Sequence, residues 1–83
     1  VAVALDGATD AEISGNQILA SLEDGIAVQG GGDNTLSGNV LGVGFGGVLL
    51  PNGGDGISLT GGTTGNRLES NLIAASFRAG VSL

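Results

Sequence analysis

The chain has 83 residues, a net charge of −6 and no cysteine. Eight acids against Arg67 and Arg78 repel phosphate backbones, which excludes nucleic acid as a partner class; without thiols, no disulfide or thiolate metal site braces so small a core. Apolar residues at 41% are too many for a disordered linker, their runs are too short for a membrane span, and 18 glycines carry no collagen period.

The first predicted strand is Val3-Ala4-Leu5, an apolar–small–apolar triplet with the period-2 pattern of one buried face. A second strand carries Ile13 inward, with Gly15 as its small later inward position. A third turns Ile18, Ala20 and Leu22 inward, and Asp24-Gly25 ends the unit. The same order then recurs. Ile26-Ala27-Val28 repeats the first strand, Leu36 and Gly38 the second, and Leu41, Val43 and Phe45 the third, closing at Asp55-Gly56. The last full unit runs through Ile57-Ser58-Leu59, then Leu68 and Ser70, then Ile73, Ala75 and Phe77, to Ala79-Gly80. Val81-Ser82-Leu83 begins another. Gly25, Gly56 and Gly80 suit corners of positive φ.

First strands recur after 23, 31 and 24 residues, so the middle unit is longer. The excess is assigned to a loop at 46–56, where Pro51 cannot donate to a ladder and glycines favour turns. Self-similarity at this period is the mark of a stacked repeat. A coil of about 23 residues per turn sets like residues about 4.8 Å apart, whereas a meander of hairpins has no need to match them. The glycine density and the wrong period argue against helix.

Asn16, Asn39 and Asn71 fall at one corner. Stacked asparagines pass amide hydrogen bonds from unit to unit, and asparagine tolerates the left-handed backbone of a corner. Asn34 and Asn66 make a shorter second column that Ala11 interrupts.

The Ile/Leu-Ser-Gly-Asn units at Ile13–Asn16 and Leu36–Asn39, their variant at Leu68–Asn71, the Asp-Gly-Ile corners and the Leu50–Gly56 insert resemble right-handed parallel β-helix repeats of the pectin-lyase-like superfamily. The resemblance covers nearly the whole chain. It implies an all-β fold, a right-handed parallel β-helix or β-solenoid of about three and a half rungs with three short strands each. The rungs span about 3–25, 26–56 and 57–80, with a final strand at 81–83. Handedness follows from the resemblance and from the right-handed rule for parallel crossovers. The superfamily includes polysaccharide lyases, glycoside hydrolases, uronate epimerases, tailspikes and adhesins, so function has to come from a site.

The catalytic inventory is thin. No His, Lys, Tyr or Cys is present, which removes the usual bases near neutrality and most nucleophiles. Arg67 and Arg78 read as solvated surface residues. The outward first-strand column of Ala4, Ala27, Ser58 and Ser82 has none of the carboxylates that glycoside hydrolysis requires, and Glu23-Asp24 reads as a solvated turn. Phe45 and Phe77 fall in an inward column and do not form sugar platforms. Asp24, Asp33 and Asp55 are weak calcium candidates, because the flanking glycines only partly match a calcium nonapeptide and a hard cation wants six to eight oxygens. No cofactor is expected.

The first and last strands hold the same place in the repeat, so the ends read as open sheet edges, which pair with other chains unless covered. The chain is then expected to be either a middle slice of a longer solenoid or a unit that stacks end to end. Leu19, Val40 and Leu72 form an outward apolar patch that would pack against a neighbouring chain, a domain or the Val48-Leu49-Leu50 loop; these six residues are the interface candidates. The expected function is a non-catalytic, structural β-solenoid segment of a secreted or cell-surface protein, extracellular in location, self-assembling end to end into a fibre or stacked on neighbouring rungs. The alternative is a fragment of a polysaccharide lyase, hydrolase or epimerase, or of a glycan-binding adhesin, whose active residues lie outside these 83.

Overall fold

The computed structural model describes residues 1–74, 76 and 78–83, and of Phe45 only the backbone. The expectations for Ala75, Phe77 and the Phe45 side chain lie outside the described residues. Among the described residues ten short strands form: β1 (Val3–Asp6), β2 (Glu12–Ser14), β3 (Gln17–Ile18), β4 (Ile26–Gln29), β5 (Thr35–Ser37), β6 (Val40–Leu41), β7 (Ile57–Thr60), β8 (Arg67–Glu69), β9 (Leu72–Ile73) and β10 (Val81–Ser82).

None of these ten strands pairs with its neighbour in sequence. Three parallel sheets have the orders β1-β4-β7-β10, β2-β5-β8 and β3-β6-β9. The architecture is all-β and parallel, compatible with a β-helix. The registers are those of the repeats: Val3, Ile26 and Ile57 align, as do Ile13, Leu36 and Leu68, and Ile18, Leu41 and Ile73. Parallel pairing needs a long connection back to the same sheet. Here the other two strands of each repeat supply it.

The core is the inward set Ile13, Ile18, Ile26, Val28, Leu36, Leu41 and Ile57, flanked by half-buried Val3, Leu5, Leu59, Leu68 and Ile73. Alternation along β4 sets Ile26 and Val28 inside and Gln29 outside. Burial is deepest in the middle repeat, where Ile26, Leu36 and Leu41 have neighbours above and below and no solvent exposure.

Four expectations need correction. First, Gly15, Gly38 and Ser70 do not point inward. They are exposed corner residues with φ of 66°, 63° and 54°. Second, the alternation through Ile18, Ala20 and Leu22 stops after Ile18. Ala20 takes a φ of 52°, which breaks the period-2 pattern, and Leu22 is 94% exposed. Third, Gly25, Gly56 and Gly80 are not positive-φ residues. Close packing makes the first two necessary: a Cβ on Gly25 would lie 2.7 Å from the Gly56 carbonyl oxygen, and one on Gly56 would lie 2.6 Å from that of Gly80. A Cβ on Gly80 would meet only Ile73, at 3.8 Å.

Fourth, the insertion lies earlier than 46–56. After Gly42 the chain leaves the stack as a small hairpin. Val43 and Leu49 bridge in antiparallel fashion, and a tight turn at Phe45–Gly47 joins them, with Gly46 and Gly47 at positive φ. The chain is back in the stack at Asn52, which bridges Ser76 in parallel. From there Gly53 N–H donates to Ser21 O at 2.7 Å, Gly54 N–H to Glu23 O at 2.9 Å and Gly56 N–H to Ala79 O at 3.0 Å. Residues 52–56 therefore belong to the stacked corner and not to the protrusion.

Candidate functional site

The most organised polar feature is a set of stacked corners. At the first, Asn16, Asn39 and Asn71 lie one above another. The backbone N–H and the side-chain Nδ2 of Asn16 both donate to Asn39 Oδ1, each at 3.1 Å. Asn39 repeats this toward Asn71 Oδ1, each at 3.0 Å. The second hydrogen on Nδ2 goes to the preceding repeat: Asn39 donates to Ile13 O at 3.0 Å and Asn71 to Leu36 O at 2.9 Å. Asn39 is fully buried, and its amide is used on both sides.

The second corner follows the same rule. Asn34 N–H and Nδ2 donate to Asn66 Oδ1, each at 3.2 Å, and Nδ2 also donates to Ala8 O at 3.0 Å. Ala11 ends the column on one side, but its backbone N–H still donates to Asn34 Oδ1 at 2.9 Å. The backbone that permits this was not anticipated. The left-handed residue is not the asparagine but the one before it: Gly15, Gly38 and Ser70 at the first corner, and Asp10, Asp33 and Gly65 at the second. That residue turns the chain, so the next N–H points along the stack at the amide oxygen of the following repeat.

A third corner was missed. Asn52, read from sequence as part of a loop, is fully buried between Ser21 and Ser76. Ser21 N–H donates to Asn52 Oδ1 at 3.0 Å, and the residue before Ser21, Ala20, is again left-handed. Counting four residues back from Gly25, Gly56 and Gly80 gives Ser21, Asn52 and Ser76, a signal that the loop assignment hid. This corner is incompletely satisfied, for among the described residues Asn52 Nδ2 and Ser76 Oγ are buried without a hydrogen-bond partner.

Of the calcium candidates, Asp24 and Asp55 occupy one corner and Asp33 another. Asp24 Oδ1 accepts the Asp55 N–H at 2.8 Å, and Asp55 Oδ1 accepts the Ala79 N–H at 3.0 Å. These carboxylates act as side-chain caps for backbone donors of the next repeat. Asp33 Oδ1 packs against Gly65. Among the described residues, no three His, Cys, Asp or Glu side chains come together in a metal-binding group. Arg67 pairs with Glu69 on the outer face of β8, so it faces a carboxylate two positions along its own strand.

The interface candidates are brought together in part. Val40 and Leu72 align between β6 and β9, Val40 half-buried and Leu72 54% exposed. The hairpin folds back over Leu19: Leu50 O accepts the Ala20 N–H at 3.1 Å, and a Cβ on Gly44 would touch both Leu50 and Leu19. Val48 and Leu49 at the hairpin remain well exposed. Among the described residues, no helix is long and apolar enough to cross a membrane. No protein-family model, curated protein or solved structure matches the chain.

Proposed function

We propose that the chain is a structural, non-catalytic segment of a right-handed parallel β-helix, about three and a half rungs long, from a secreted or cell-surface protein. The pectin-lyase-like resemblance motivates the handedness and the location. The observation that carries the reading is the unbroken column Asn16–Asn39–Asn71, in which each repeat presents donors to the next and acceptors to the one before. These side chains hold successive repeats in register. Asp24 and Asp55 belong to the same scheme.

A stack of this kind is extended by adding further repeats at its sheet edges. Edge strands have free N–H and C=O groups on one side, and β1, β2 and β3 each have a single neighbour. A second copy is the occupant proposed here, giving a filament of single-solenoid width. The test is electron microscopy of the purified chain, with its size measured in solution. Uniform filaments with a cross-section of 35 by 20 Å are expected, because about three rung steps of ~4.8 Å account for the chain's shortest extent. A monodisperse monomer at high concentration would reject assembly through the edges.

A further inference from the structure

Asn52 is followed by Gly53, and it is the one asparagine in the chain with glycine after it. That dipeptide has a chemistry of its own. The glycine N–H, unshielded by a neighbouring Cβ, can lose its proton and attack the asparagine Cγ. An N–Cγ bond forms, the Cγ–Nδ2 bond breaks, and Nδ2 leaves as ammonia. The cyclic imide is then opened by water to aspartate or, through the other carbonyl, to isoaspartate.

In the folded chain one residue holds both reacting groups apart. Ser21 N–H donates to Asn52 Oδ1 at 3.0 Å, and Ser21 O accepts the Gly53 N–H at 2.7 Å. The nucleophilic nitrogen is thus hydrogen-bonded away from Cγ, and the electrophile is pinned by the same backbone. Asn52 is fully buried, so the water needed for the second step is kept out as well. A Cβ on Gly53 would collide with the Leu22 carbonyl, so the turn sits close against the backbone of the preceding repeat.

The same corner is also the one with unmet hydrogen-bonding capacity. Among the described residues Asn52 Nδ2 and Ser76 Oγ are buried and unpartnered, whereas the Nδ2 groups of Asn39 and Asn34 each have two partners. Buried polar groups without partners weaken the closed state relative to an opened one in which water reaches them. We propose that Asn52–Gly53 is a guarded deamidation site: the Ser21 backbone blocks the reaction while the third corner is closed, and the reaction proceeds when the corner opens.

The product would not close again. An aspartate at position 52 carries a charge into a fully buried place on a corner that already holds Asp24 and Asp55. An isoaspartate adds a backbone methylene and shifts the register of every stacked residue after it. The corner would act as a one-way record of opening.

The test incubates the full chain at mildly alkaline pH, folded and in concentrated urea, and localises the amide-to-acid mass change by peptide fragmentation. In urea Asn52 should convert ahead of Asn16, Asn34, Asn39, Asn66 and Asn71. In the folded chain its rate should be more than about tenfold lower, the local opening constant setting the difference. Equal rates in the two states, or another asparagine converting first in urea, would overturn the guard. The variant N52D reads the irreversible half separately. Its melting temperature should fall by at least about 4 °C, and an unchanged value would overturn the claim that the product cannot close.

Discussion

Asn71 Oδ1 lies 3.0 Å from both the backbone nitrogen and the side-chain nitrogen of Asn39. One oxygen of one repeat therefore satisfies two donors of the repeat before it, 32 residues earlier in the chain. Replacing Asn39 with alanine removes the Nδ2 donor and the Oδ1 that Asn16 uses. It also leaves the Ile13 carbonyl oxygen, in a buried setting, without that donor. A loss of about 1–3 kcal/mol in urea unfolding is expected. Asn16→Ala should cost less, because Asn16 is exposed.

Gly25 and Gly56 are confined by carbonyl oxygens of the next repeat, and Gly80 is not. Backbone atoms cannot rotate away as side chains can. Gly25→Ala and Gly56→Ala should each destabilise by about 1–3 kcal/mol or prevent folding. Gly80→Ala should leave the melting temperature nearly unchanged. Equal tolerance at all three positions would show that the repeats approach less closely than described.

Ser70 and Ala20 occupy left-handed backbone that costs a non-glycine residue about 1–2 kcal/mol. Ser70→Gly and Ala20→Gly should therefore raise stability, by less than that amount because glycine gains entropy in the unfolded chain. At the matching corner position, Gly38→Ala should lower it. Thermal melts of the three variants measure both signs.

Leu22 and Leu41 separate the observed packing from the simple alternating pattern. Leu41 is fully buried and Leu22 is almost fully exposed. Leu41→Ala should destabilise by about 2–5 kcal/mol. Leu22→Ser should stay within about 0.5 kcal/mol of the parent chain. A large effect at Leu22 would restore it to the core.

The strand registers were legible because they rest on columns of like residues. Val3, Ile26 and Ile57, or Ile13, Leu36 and Leu68, can be aligned by eye, and burial requires that they stack. The first asparagine column was legible for the same reason. What was hidden depended on backbone angles. Nothing in the residue type of Ala20 announces a φ of 52°, so the alternation was carried past it to Leu22. The third corner was hidden by the hairpin that precedes it. Pro51 and the glycines after Asn52 have loop composition, yet Asn52, Gly54 and Gly56 are buried. The constraint at Gly25 and Gly56 was also hidden, since it is a carbonyl in another repeat and not their own φ.

The central claim is that like residues of successive repeats lie side by side. Methyl–methyl nuclear Overhauser contacts test it most directly. Cross-peaks linking Ile13 to Leu36 and Leu36 to Leu68, and Ile18 to Leu41 and Leu41 to Ile73, are expected. A pattern dominated by contacts between strands adjacent in sequence and running antiparallel, with those cross-peaks missing, would contradict the stacked parallel account.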